Sequence, residues 1–199
     1  MFLVDRNRLG EPGTFDAECR RPGNAWLASH PDDERPRDYW SPFKGRLAHG
    51  FADLCAYSAM NVPDGTVDHF VSVNENRSLA YEWSNYRFAS SGLNCSKGRA
   101  RAADLLDPLV VQAGWFIVLL PSLQLAVTDQ IPPALRPLAE ATIRRLRLVD
   151  DERVVRQRRQ WYALYRCGRL SLEGLRQMAP RRLFPRAVFL DLFTQSGIG

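Results

Sequence analysis

Residues 66–97 read TVDHFVSVNENRSLAYEWSNYRFASSGLNCSK, and the reading of this run decides how the rest of the chain is understood. Val67, His69, Val71 and Val73 alternate with Asp68, Phe70 and Ser72, which predicts a strand that sends Asp68 and His69 to opposite faces near one end. Asn74, Glu75, Asn76, Arg77 and Ser78 break the apolar pattern, as a loop does. The aromatic-rich run Tyr86 to Ala89 predicts a second short strand, stopped by Ser90, Ser91 and Gly92. From Leu93 to Arg101 the pattern suits a helix with Asn94 in its first turn and Lys97 on the same face. The expected unit is strand, loop, strand, helix.

The spacing of the polar residues adds chemistry to that unit. Asn85 follows His69 by sixteen residues, and Asn94 and Lys97 follow Asn85 by nine and twelve. An Asp-His pair at a strand end, a central Asn and a helix-opening Asn in an N-x-x-K context resemble the HNH endonucleases, the ββα-metal or His-Me finger group. The resemblance implies an α+β fold with a ββα-metal core. It implies that Asp68 and Asn94 hold one Mg²⁺ or Mn²⁺, an ion that keeps several waters and so can also bind a scissile phosphate. It further implies that His69 is the general base, that Asn85 ties the loop near His69, and that Lys97 meets a phosphate oxygen.

The chain departs from this family at the zinc knuckle. Where many members carry two C-x-x-C pairs, this sequence has Cys55-Ala56-Tyr57-Ser58 and Ser90-Ser91-Gly92-Leu93. One thiolate of four remains, and Cys95 lies on the wrong side of Asn94 to replace another. No structural zinc is expected. Such a site contributes about 10–16 kcal/mol to folding in small modules, so Leu93 and the surrounding chain are expected to supply that order instead.

Size and composition are compatible with this reading without demanding it. The chain has 199 residues, 45% hydrophobic and 11% aromatic, enough to bury a true core. A formal charge of +5 and a pI near 9.3 suit a polyanionic partner but raise that expectation only slightly. Four irregularly spaced cysteines, no leader pattern and many arginines point to a reducing cytoplasm. The longest apolar run, Trp115 to Leu120, is far below the ~20 residues that span a bilayer, so no membrane role is expected.

Around the core, three regions are expected. Residues 1–38, punctuated by Gly10, Pro12, Gly13, Pro22, Gly23, Pro31 and Pro36, read as an irregular N-terminal arm that wraps the domain or contacts DNA or a partner. Residues 39–107 hold the nuclease core behind a lead-in helix between Tyr39 and Ala59, started by Ser41 and Pro42. Residues 108–199 form a mainly helical, basic extension. It begins with a hairpin from Trp115 to Thr128 and continues with helices over Leu135 to Leu146 and about Asp150 to Arg166.

On the last helix, Val154, Trp161 and Leu164 form one stripe, and Arg153, Arg156, Arg159 and Arg166 share a flank. Arg153, Arg156 and Arg159 are candidate phosphate contacts, as are Arg144, Arg145, Arg147, Arg158, Arg166, Arg169, Arg176, Arg181, Arg182 and Arg186. The lead-in and these trailing helices resemble an HNH branch that includes nuclease effectors of Septu-type and retron-associated anti-phage systems.

The resulting expectation is a metal-dependent DNA endonuclease in bacterial defence or a mobile element, with RNA left open as substrate and a partner ATPase or other defence subunit as a candidate partner. Two other readings stay open: a non-cleaving DNA-binding or assembly subunit, and a nuclease toxin held by an immunity protein.

Overall fold

The computed structural model describes residues 1, 3–119, 122–171 and 174. Arg176, Arg181, Arg182 and Arg186, read above as candidate phosphate contacts, lie outside the described residues. The fold is α+β, with helices around two small antiparallel sheets. No helix among the described residues is long and apolar enough to cross a membrane.

The first sheet pairs β1 (Thr66–His69) with β2 (Tyr86–Ala89), in a register that sets Asp68 opposite Arg87 and His69 opposite Tyr86. β1 is shorter than the alternation of valines suggests. At its end Phe70 N–H donates to the Asn85 carbonyl at 2.8 Å and Val71 N–H donates to the Asn85 side chain at 2.8 Å, so the chain leaves the ladder there. A short helical turn, Ser91–Lys97 (α3 in chain order), follows β2 directly. The Ser90 hydroxyl caps it by accepting from Leu93 N–H, and Gly98 closes it at φ 52°, a backbone region glycine enters without penalty. Strand, loop, strand and helix are thus all present, with the helix ending four residues before Arg101.

The N-terminal region is not the irregular arm expected for residues 1–38. It carries a π-helical turn, Asp16–Arg20, running into α1 (Arg21–Ser29). Phe15 is fully buried and meets Phe43, Trp83 and Tyr86 edge-on at ring distances of 5.0, 5.3 and 5.8 Å. Burying such a ring is worth roughly 2–3 kcal/mol. Gly23 lies flat against the Tyr81 ring, where any β-carbon would collide with it. Proline and glycine here shape close packing between this segment and the β1–β2 loop.

The lead-in helix is also shorter than expected. α2 covers only Lys44–Gly50, because Ala52 and Asp53 take left-handed backbone conformations at φ 55° and 58° and turn the chain. The segment after that turn carries Cys55, Ala56 and Tyr57, all fully buried, and Ala56 N–H donates to the Phe88 carbonyl at 2.8 Å. Of the four knuckle positions, Cys55 and Leu93 are in the core, Ser58 accepts from Met60 N–H, and Ser90 is the helix cap. Packing and capping hold these residues in place.

Beyond the core, β3 (Phe116–Val118) and β4 (Leu125–Val127) form the expected hairpin, and α4 (Arg136–Arg145) and α5 (Glu152–Arg166) follow. Thr142 of α4 accepts from Leu106 N–H at 2.7 Å, which docks that helix onto the segment after α3. α5 buries Val154, Val155 and Trp161 but leaves Leu164 exposed, so the expected stripe ends one turn early.

Candidate active site

The β1–β2–α3 unit gathers two groups of polar side chains, one on each face of β1. On the face toward α3 is Asp68, whose side chain is 2% exposed. Its Oδ2 accepts from the Tyr57 hydroxyl at 2.5 Å and its Oδ1 accepts from the Lys97 ammonium at 2.7 Å. Lys97 also donates to the His69 main-chain carbonyl, so it ties the end of α3 to the end of β1. Burial and the adjacent Asp68 charge push the Tyr57 phenol well above its ordinary range, and it remains a proton donor. Arg87, the cross-strand neighbour of Asp68, turns away and makes a bidentate pair with Asp107 at 2.8 and 2.6 Å.

The opposite face carries His69. Its ring packs edge-on against Trp40 at 4.7 Å and Tyr86 at 5.1 Å. Nε2 lies 2.8 Å from the Ala80 carbonyl oxygen, which can only accept, so Nε2 carries the proton and Nδ1 is the acceptor nitrogen. The imidazole pKa is lowered from its ordinary 6.5, chiefly by burial. A neutral ring with one pinned N–H and one lone pair is the form a general base requires. His69 lines a cleft of about 320 Å³ together with Glu34, Arg35, Trp40 and Asn74.

Asn85 organises the loop between these groups. Its amide donates to the carbonyls of Val71 at 3.0 Å and Leu79 at 3.1 Å, and its Oδ1 accepts from Val71 N–H at 2.8 Å. It is 6% exposed, and all three bonds close the loop that runs between His69 and Ala80. Asn94 sits on α3 with its amide 3.5 Å from the Val67 carbonyl, beside the end of β1 that carries Asp68.

The remaining candidates are placed differently. Lys97 is buried and faces Asp68, so in this arrangement it does not reach a phosphate. Arg153 pairs with Asp151 at 2.6 Å and Arg159 with Glu152 at 3.2 Å, while Arg156 is exposed and has no ion pair among the described residues. Arg158, another of the arginines read as phosphate contacts, is 1% exposed and donates to the Leu123 and Leu148 carbonyls. Its burial pulls the guanidinium pKa down to about 10, and it is a core residue rather than a surface contact.

A divalent ion held by Asp68 and Asn94 does not fit the arrangement as it stands. Both Asp68 oxygens already accept from donors, the carboxylate is shut from solvent, and the cation beside it is the protein's own ammonium. Among the described residues no group of three or more His, Cys, Asp or Glu side chains is placed to hold a metal ion.

Sequence reasoning gave no site role to Tyr57, Ala80, Trp40 or Arg35. Tyr57 stands inside the vestigial knuckle, and the contribution of Ala80 is a backbone carbonyl that any residue could supply. No protein-family model matches the chain, and no curated protein matches it.

Proposed function

We propose that this chain is an HNH-type endonuclease, built on a ββα core, that hydrolyses phosphodiester bonds in DNA with His69 as general base. The observation that carries this reading is the pinned, neutral His69: Nε2–H held on the Ala80 carbonyl, Nδ1 free to accept, and the ring lining an open cleft. Asn85 supports it by fixing the loop that presents that carbonyl.

In this mechanism a water in the cleft gives its proton to Nδ1 as its oxygen bonds to phosphorus. The bond to the 3′ oxygen breaks, and that oxygen takes a proton from solvent, leaving a 5′-phosphate and a 3′-hydroxyl. The Ala80 carbonyl steadies the imidazolium that forms, because it keeps its bond to Nε2–H throughout. Arg35, exposed at the cleft edge with no ion pair among the described residues, is suited to a non-bridging phosphate oxygen. Cleavage of labelled duplex DNA, with the new ends mapped, tests the reading: 5′-phosphate ends made by wild type and not by His69→Ala support it.

A second reading has its own observation. The Asp68–Lys97 ion pair, with Tyr57 on the other oxygen, is what a non-cleaving DNA-binding or assembly subunit would retain for structure alone. Binding without cleavage under every ionic condition favours that reading.

A further inference from the structure

The chain leaves α3 through Gly98 and passes through a short turn, Ala102–Asp104, into the segment onto which α4 docks. Between this run and α4 is an open hollow of about 360 Å³. Leu105, which is buried, and Ala141 line it with apolar surface, and Arg99, Arg101 and Arg145 line it with charge. Asp104 is the one acid in the lining, and Arg101 holds its carboxylate with two bonds of 3.0 Å.

Arg99 and Arg145 are exposed and have no ion pair among the described residues. Arg145 donates from Nη2 to the Lys97 carbonyl at 3.4 Å, which ties it to the end of α3. A guanidinium carries five N–H donors in a planar fork that matches a phosphate, so both arginines bring unused donors to the hollow. The flank of α5 offers less. Arg153 and Arg159 are already paired with Asp151 and Glu152, and Arg147, before that helix, is paired with Asp150.

The hollow is joined to the His69 cleft by a single turn of chain. Asn74 lines that cleft, and the carboxylate of the next residue, Glu75, accepts from Ala102 N–H at 2.8 Å. The segment that carries Arg99 and Arg101 is therefore fastened to the rim of the cleft.

We propose that the hollow between the end of α3 and α4 seats a backbone phosphate of the nucleic acid, with Arg99 and Arg145 as its donors. This rests on the nuclease reading for the kind of polyanion that lies in the His69 cleft. It deepens that reading by placing a backbone contact beside the cleft, on residues that positions the strand without reading its bases. Arg101 takes the accessory part of neutralising Asp104, so that the acid does not repel the incoming phosphate.

Fluorescence anisotropy of a labelled DNA duplex tests this on the full chain, in EDTA and over a range of salt concentrations. Arg99→Gln combined with Arg145→Gln is expected to weaken binding about tenfold or more and to make the slope of log K against log salt shallower by roughly 2, about 1 for each lost phosphate contact. Lys44→Gln combined with Arg46→Gln removes the same charge from the exposed side of α2 and is expected to leave that slope nearly unchanged. An unchanged slope in a folded Arg99→Gln/Arg145→Gln protein would overturn the proposal. So would an equal loss in the α2 pair, or no binding of the duplex by wild type.

Should the double variant fail to fold, Arg99→Gln alone decides the matter, because Arg99 has no hydrogen bond or ion pair among the described residues. Its slope is expected to be shallower by roughly 1, and an unchanged slope contradicts the proposal. The two ideas fail separately, since binding is read without cleavage. The expected salt response with no cleavage under any condition removes the nuclease reading and leaves this contact standing, whereas cleavage with an unchanged slope removes this contact alone.

Discussion

His69 donates through Nε2 to the carbonyl oxygen of Ala80 at 2.8 Å, across eleven residues of loop. This bond fixes both the tautomer and the direction of the ring. With the pKa lowered by burial, the imidazole is neutral at physiological pH. Cleavage is therefore expected to rise with pH along a limb whose midpoint lies below 6.5, and then to level off. A pH–rate profile of kcat/KM checks this; a midpoint well above 6.5 would assign the base to another group.

The same shift has a consequence for stability. In the unfolded chain the histidine binds its proton with a pKa of 6.5, and in the folded chain the value is lower. As pH falls through 6.5 toward the folded value, the unfolded state takes up the proton first, so the folded protein loses stability over that window. His69→Gln should flatten the dependence. Thermal melts of both proteins between neutral and mildly acidic pH measure it.

Asn85 makes three side-chain hydrogen bonds in a nearly buried position, to Val71 N–H, Val71 C=O and Leu79 C=O. Asn85→Ala leaves three backbone groups without their partner and should cost about 2–4 kcal/mol. Asn85→Asp should be at least as harmful, because it sets a carboxylate against two carbonyls. Urea denaturation gives the magnitude, and the loss of loop order should also lower cleavage beyond what the unfolded fraction explains.

Lys97 and Asp68 are coupled in stability. Lys97→Met alone leaves a buried carboxylate with only Tyr57 as donor, at an expected cost of about 3–5 kcal/mol. Adding Asp68→Asn removes the stranded charge and should recover most of that loss. A double-mutant cycle by chemical denaturation reads the coupling, and additive losses would show the pair to be energetically independent.

Phe15→Ala should cost about 3–5 kcal/mol, because the ring is fully buried among Phe43, Trp83 and Tyr86. A residue on a loose wrapping arm would tolerate the change. Denaturation midpoints of the two proteins distinguish the cases.

Much of the architecture was legible because it is periodic. The aromatic run Tyr86–Ala89, the hairpin and α4 and α5 lie where their spacing places them, and the alternation from Val67 to Val73 marks β1 but overruns its end at His69. The N-terminal region was not legible, because Pro22 and Gly23 read as breakers yet lie inside the helical run 16–29, and its buried anchors Phe15 and Cys19 are a single pair too short to set a period. Residues 44–50 helically coil as expected, but nothing in the types Ala52 and Asp53 announces their left-handed backbone.

The candidate site divides along the same line. Spacing put Asn94 and Lys97 on one helical face, yet could not say that Lys97 turns inward to Asp68 instead of outward to a phosphate. The partner of His69 is a backbone carbonyl and that of Asp68 a tyrosine in a different segment. Neither leaves a mark in a linear motif.

The most direct test of the central claim is plasmid cleavage by the purified protein in Mg²⁺, Mn²⁺ or EDTA, with His69→Ala beside wild type. Nicking or linearisation by wild type that disappears in the variant is the result expected. Cleavage that persists undiminished in His69→Ala, or DNA binding with no cleavage in either ion, would contradict the account.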